Sequence, residues 1–429
     1  MTTSDRRGAT PTRSAFVWVW LPGASDPVVA GRIDQIADQV VDQVADSYTF
    51  TYGRSYRART DAIPLYLPEL PLGPGRIQPP DGLAIAGCLR DAGPDAWGQR
   101  VILARRLGHL DSSADTGALS TLTYLLESGS DRTGGLDFQH SATDYVPRFA
   151  DHPTLAQMQD GAERLAAGEP LPPELADALL RGTSIGGARP KVTLLDPDGR
   201  PVIAKLSTQA DPYPAVKFEA AAMALAARVG VNVAPTRLIR SSGRDVLLVD
   251  RFDRPGGGRR TLMVSALTIL GLDGLTGARY GSYIHLADQI RARFRDPIPT
   301  LAELFRRVVF NVCVSNSDDH ARNHSAFWDG EWLTLTPAYD IAPGLRSGDT
   351  SAQAMALTRD GRRASRLALC RESAGDYLLD PDQANRIIDE VVTGIQTHFD
   401  EVAELARLTG SDRDQFRRLV LHPSIHYPE

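Results

Sequence analysis

Apolar residues fall on two rhythms along this chain. In Tyr48-Thr49-Phe50-Thr51-Tyr52 they alternate with polar ones, the period of a half-buried strand. The apolar run from Phe16 to Leu21, ended by Pro22-Gly23, predicts another strand and a turn. Residues 65–80 are rich in proline and glycine and predict loop or edge structure. A helix is predicted to start at Pro94-Asp95-Ala96-Trp97 and to run through Val101, Ile102 and Leu107, and a second to cover 119–126. This first region reads as a small unit of strands followed by helices, with no catalytic constellation visible in it.

The stretch 128–148 is rich in Gly, Ser, Thr and Asp and predicts a boundary. Short helices are predicted over 155–166 and 173–180. Strands over 192–195 and 202–206 flank the turn Asp196-Pro197-Asp198-Gly199, the grammar of a hairpin. A helix over 215–229 and strands over 236–240 and 246–249 follow. After Pro255-Gly256-Gly257-Gly258 the period turns helical, over 283–294, 301–314, 383–407 and 411–419. A glycine-rich loop over 272–282 is expected to be mobile. Phe327-Trp328 and Trp332-Leu333 predict two short strands within the helical region.

The 429 residues leave room for two or three domains and a large core. Lys and Arg number 47 against 53 Asp and Glu, a formal charge of −6, so no global basic field draws the chain to DNA or membrane. Cys88, Cys313 and Cys370 lack metal or CxxC spacing and imply a reducing compartment. No apolar run approaches the ~20 residues of a membrane span. Residues 1–14 are polar, read as a disordered tail and not as a secretory signal, so the expected location is cytoplasmic.

The densest chemistry lies in Ser315-Asn316-Ser317-Asp318-Asp319-His320-Ala321-Arg322-Asn323-His324, followed by Tyr339-Asp340. Asp318 and Asn323 are spaced like the catalytic Asp and metal-binding Asn of the kinase loop His-Arg-Asp-x-x-x-x-Asn. Asp340 falls where a second metal-binding Asp is expected. Lys205, at the end of an apolar strand, needs an anionic partner if it points into a cleft. A nucleotide phosphate and Glu219, early in the following helix, would provide one; the alternative is an ordinary surface ion pair. The order loop, strand, strand, helix, strand, strand matches the small lobe of a kinase-like fold. Gly186 and Gly187 would let backbone N–H groups approach phosphates, although the loop is neither a Walker nor a GxGxxG motif, and a plain turn reads equally well. Asp250-Arg251-Phe252-Asp253 ends the last small-lobe strand and would offer backbone groups to an adenine edge. Phe252 could pack on the ring or simply close a core. Asp318, Asp319, His320 and His324 could alternatively be metal ligands of a hydrolase, but the spacing is not HExxH. On the residues alone, His320 reads as a structural histidine bracing the loop.

Together these residues resemble the HipA family of toxin serine/threonine kinases, over nearly the whole chain. The family's Ser, Gly and Lys pattern appears as Ser184, Gly187 and Lys191, and its nucleotide lysine as Lys205. Its hinge matches residues 250–254, its loop Asn-x-Asp-x-His-x-Lys-Asn matches 316–323, and its Tyr-Asp matches Tyr339-Asp340. Asp250 replaces the usual Glu, Arg322 the usual Lys, and Arg189-Pro190 the usual Gln-Glu. The resemblance implies an α+β, two-lobed protein-kinase-like fold with an extra N-terminal α/β subdomain and a mostly helical C-terminal lobe. Its parts would be a tail (1–14), an N-terminal subdomain (15–150), a small lobe (151–254) and a catalytic large lobe (255–429). It implies ATP bound by Gly186, Gly187, Lys205, Glu219, Asp250, Phe252 and His320, and Mg²⁺ held by Asn323 and Asp340. Asp318 would orient the acceptor hydroxyl or take its proton, and Ser184 would be autophosphorylated, with Thr183 as a neighbouring hydroxyl. Autophosphorylation would expel that loop and inactivate the kinase, with Arg181, Arg189 and Lys191 as cations near the new phosphate. The implied partners are a HipB-like helix-turn-helix antitoxin, through which DNA would mainly be bound, and a protein substrate such as an aminoacyl-tRNA synthetase. Competing readings are a small-molecule phosphotransferase, and a pseudokinase serving only as the antitoxin's co-repressor.

Overall fold

The computed structural model describes residues 13–40, 43–107, 115–148, 154–180, 189–209, 211–346 and 348–427. Thr183, Ser184, Gly186 and Gly187, with Arg181, lie outside the described residues, as does most of the predicted tail.

The N-terminal unit is built on a five-stranded antiparallel sheet. Its strands are β1 (Ser14–Val19), β2 (Val28–Val40), β3 (Gln43–Tyr52), β4 (Arg76–Ile77) and β5 (Leu136–Gln139), in the order β4-β3-β2-β1-β5. Tyr48, Phe50 and Tyr52 point into the core, as their alternation predicts. The stretch 128–148 holds β5, which pairs with β1, so it forms the edge of this sheet as well as a connection. Its polar composition reflects buried charge. Arg132 is fully buried against Asp137, Nε to Oδ1 at 2.6 Å, and Arg148 reaches the same carboxylate at 2.9 Å.

The small lobe is a four-stranded antiparallel sheet of β6 (Lys191–Leu195), β7 (Pro201–Leu206), β8 (Thr236–Ser241) and β9 (Arg244–Asp250), in the order β6-β7-β9-β8. The β6–β7 turn closes because Asp196 Oδ1 accepts from the backbone N–H of Asp198 (3.0 Å) and of Arg200 (2.8 Å). The helix Ala215–Arg228 is rich in alanine, the best helix former. It is buried on nearly every side, between this sheet and the 25-residue helix Pro381–Leu405. Gly394 permits that approach: a Cβ there would come within 2.7 Å of Val229 Cγ1.

The large lobe is helical around a three-stranded sheet of β10 (Met263–Ser265), β11 (Ser325–Trp328) and β12 (Leu333–Leu335). Its central helix, Pro297–Cys313, starts with proline at its first position and buries Leu301, Leu304, Phe305, Val308 and Val312 at helical spacing. The expected mobile loop at 272–282 is instead largely the helix Gly274–Tyr280. Asp273 and Thr276 form a capping box there, which supplies the helix start that the glycines obscure. One apolar core joins the N-terminal sheet to the large lobe, and a second joins the helix Ala96–Leu107 to the outer face of the small-lobe sheet. None of the described helices is long and apolar enough to cross a membrane. The three cysteines are unpaired and buried.

Candidate active site

The two lobes meet at Lys205. It stands one residue before the end of β7, and its ammonium lies 2.5 Å from Glu219 Oε1 on the Ala215–Arg228 helix. It also donates to Oδ1 of Asp340, which follows the large-lobe sheet. Burial opposes the charge on Lys205, but Asp340 and Glu219 outweigh it and hold the ammonium above its ordinary value. Burial dominates at Glu219 and raises its carboxyl above the usual range, although Lys205 pulls the other way. Asp340 is also desolvated, yet Lys205 and then Lys191 outweigh that and hold its carboxyl well below the carboxylate range. Asp340 has φ 59°, the left-handed region that Asp tolerates better than most residues, so the chain holds it in a sparsely used conformation.

The loop carrying Asp318 rests on its neighbour, Asp319. That carboxylate is buried and accepts from Tyr283 Oη (2.5 Å) and Asn311 Nδ2 (2.7 Å), and its Oδ2 lies 2.7 Å from His324 Nε2. Asp319 and His324 therefore engage each other under the loop and are not aimed at a shared ion. No group of three or more His, Cys, Asp or Glu side chains suited to a metal occurs among the described residues. Asp318 is exposed. Asn323 is buried and its Nδ2 reaches the Asp318 carbonyl at 3.5 Å, so the two predicted residues are coupled through the loop. His320 is half-buried. Its Nδ1 has no hydrogen-bond partner among the described residues, so the expected bracing is not seen at that atom.

The hinge residues behave differently from one another. The Asp250 side chain accepts from Arg237 at 3.1 Å. The Phe252 ring lies 5.8 Å from both Phe327 and Tyr339, joining an aromatic group with the large lobe. Arg251 and Arg254 both reach Asp131 of the N-terminal unit, at 2.7 and 3.1 Å, and both bond Asp253. Despite burial, these arginines hold the Asp131 and Asp253 carboxyls below their ordinary range. The N-terminal unit is thus ion-paired to the segment between the lobes. Arg189, expected among cations near the serine loop, packs on Tyr213 and lies 3.8 Å from Asp211.

Sequence reasoning named Lys191 only with the serine loop and missed Asp95; the structure brings the two together. Lys191 lies directly opposite Lys205 in the β6–β7 ladder and is buried, and its ammonium lies 3.5 Å from Asp95 Oδ2. Asp95 belongs to the N-terminal unit, where local sequence shows no site. Only the strand alternation that puts Lys191 and Lys205 on one face could have pointed to the lysine pair.

For oxygen-ligated Mg²⁺, Asn323 and Asp340 offer an amide and a carboxylate oxygen, the donor type that a hard cation takes. The lysines and His320 Nδ1, which has no partner among the described residues, suit a phosphate-bearing ligand. A buried lysine shared by one acid from each lobe, in a chain that also carries an exposed Asp with an Asn five residues on, fits a kinase-like cleft.

Comparison with known proteins gives the family. Residues 183–399, just over half of the chain, match the HipA-like C-terminal domain family, and the chain belongs to it. It is 30% identical over 224 residues to the candidate kinase Y4mE of Sinorhizobium fredii, covering 48% of this chain and 52% of that protein. It is 24% identical over 262 residues to the serine/threonine-protein kinase toxin HipA of Shewanella oneidensis, covering 55% and 59%. The chain thus spans little more than half the length of these curated relatives. Its fold is similar to a chain in the solved complex of Shewanella oneidensis HipA, HipB and operator DNA, with TM-score 0.67 at 20% identity over 95% of this chain and 96% of that one. The fold is accordingly the α+β, two-lobed kinase-like one expected from the sequence.

Proposed function

We propose that this protein is a Mg²⁺- and ATP-dependent protein serine/threonine kinase of the HipA type. The observation that carries the reading is Lys205, shared between Glu219 of the small lobe and Asp340 of the large lobe. That arrangement holds a cation where the phosphates of a nucleotide bound between the lobes would run. Bound Mg-ATP would supply the transferable phosphoryl group. The chain's own work is positioning and charge compensation, which dominate phosphoryl transfer. Lys205, oriented by Glu219, holds phosphate oxygens. Asn323 and Asp340 hold the metal. His320 Nδ1 and the Asp250–Phe252 segment would meet the nucleotide, and Gly186 and Gly187 would let backbone N–H groups approach its phosphates. Asp318 orients the acceptor hydroxyl or takes its proton, and Asp319, Tyr283, Asn311 and His324 keep that loop rigid.

The same reading gives a division at about residues 150 and 254 and autophosphorylation at Ser184. It also gives a HipB-like helix-turn-helix antitoxin, with DNA met mainly through it, and a protein acceptor such as an aminoacyl-tRNA synthetase. The similar solved chain, which occurs with HipB and operator DNA, supports the antitoxin. Induced expression in a host cell, followed by phosphoproteomics beside D318A, tests the acceptor class. The expected result is new phosphoserine or phosphothreonine on host proteins with the wild type alone. A phosphorylated small molecule with an unchanged phosphoproteome would contradict it.

A further inference from the structure

The two lysines facing each other across β6 and β7 pose an electrostatic problem. Like charges directly opposite in an antiparallel pair destabilise it. Lys205 is compensated twice, by Glu219 and Asp340. Lys191 is equally deep, with 6% of its side chain exposed, and Asp340 is already committed to Lys205. A carboxylate from outside both lobes lies beside Lys191: Asp95 Oδ2, 3.5 Å away, on a side chain 10% exposed.

Asp95 is held rigidly. Its Oδ1 accepts from the Gly98 N–H at 2.7 Å, capping the helix Ala96–Leu107, and its carbonyl accepts from the Gln99 N–H. That helix packs by Val101 and Ala104 into the core under β6 and β7. One oxygen of Asp95 is thus fixed by the backbone and the other faces Lys191. Burial disfavours the charged form of both groups, and each offsets that burial for the other.

We propose that Asp95 is a positioning residue for phosphate transfer: from the N-terminal unit it holds the Lys191 ammonium in line with Lys205 on the cleft face of the β6–β7 ladder. Without it, the Lys191 ammonium would be drawn toward Asp340, the carboxylate that Lys205 already engages. That shift disturbs the carboxylate proposed to hold the metal. The N-terminal unit then contributes directly to the reaction centre. This inference rests on the kinase reading above.

The test is Asp95→Asn, because asparagine caps a helix as well as aspartate but carries no charge. Mg-ATP turnover, read as ADP release, is measured for wild type, D95N, K191M and the double variant, alongside their melting temperatures. Neutralising an anion in a phosphate-binding cleft would by itself tighten ATP binding. Loss of aim lowers kcat instead. The expected result is a kcat reduced about tenfold in D95N, of the size seen for coupled neighbours, with no rise in the KM for ATP. The D95N effect should vanish in the K191M background. If D95N melts early, D95S, which also caps, takes its place in the same cycle. Wild-type kcat in D95N, or an equal loss with and without Lys191, overturns the inference and leaves the kinase reading standing. A wild-type protein that neither binds nor turns over Mg-ATP overturns both.

Discussion

Replacing Glu219 by glutamine separates function from stability at this site. The Glu219 side chain is 7% exposed and that of Lys205 14%, so solvent screens little of their interaction. The 2.5 Å contact is a hydrogen bond between charged partners. Such bonds contribute about 1.5–3 kcal/mol. At 1.4 kcal/mol per tenfold, losing it should weaken phosphate binding or transfer by about 10- to 100-fold. Stability should move the other way. Burial raises the Glu219 carboxyl above its unfolded value, so its contribution is fullest below the unfolded pKa and is lost as pH rises through the folded one. Glutamine has no such loss, so E219Q should equal or exceed the wild type in stability at neutral pH, with the advantage growing through the carboxylate range. Calorimetric titration with a non-hydrolysable Mg-ATP analogue and urea unfolding at several pH values measure both effects. Wild-type affinity and turnover in E219Q, or a loss explained wholly by unfolding, would refute the reasoning.

Asp319→Ala removes the carboxylate that accepts from the Tyr283 hydroxyl and the Asn311 amide, and should cost about 2–6 kcal/mol at 1–3 kcal/mol for each of these two groups; an unchanged urea midpoint would contradict this. Incubation with Mg-ATP should place a phosphate, adding about −1.5 to −2 charge, on Ser184 in the wild type and not in D318A. Mass spectrometry reads that outcome, and an active kinase unmodified at both Ser184 and Thr183 would remove self-inactivation from the account.

The parts of the site legible in sequence are those fixed by local spacing. Asp318, Asn323 and Asp340 lie in one short stretch, and Lys205 and Glu219 are separated by one loop and the first turn of a helix. The hairpin at Asp196 and the helix rich in alanine were legible because turn chemistry and propensity agree with the fold. What escaped were long-range pairings. Nothing near Asp95 signals that it meets Lys191, 96 residues on, or that Asp131 meets Arg251 and Arg254, more than 100 residues on. Such contacts appear only when the units pack. The polar stretch 128–148 suggested only a boundary because buried ion pairs and exposed loops share a composition. The helix Gly274–Tyr280 escaped because its glycines outweighed a capping box that was present in the sequence.

The claim that Lys205, Asn323 and Asp340 form a Mg-ATP site served by Asp318 is tested most directly with purified wild type, D318A and D340A. Each is titrated with Mg-ATP and assayed for transfer of the labelled γ-phosphate. The wild type should bind and transfer. D318A should bind with nearly wild-type affinity and transfer nothing, and D340A should fail in transfer. Transfer at the wild-type rate by D340A, or a folded wild type that does not bind Mg-ATP, would contradict the account.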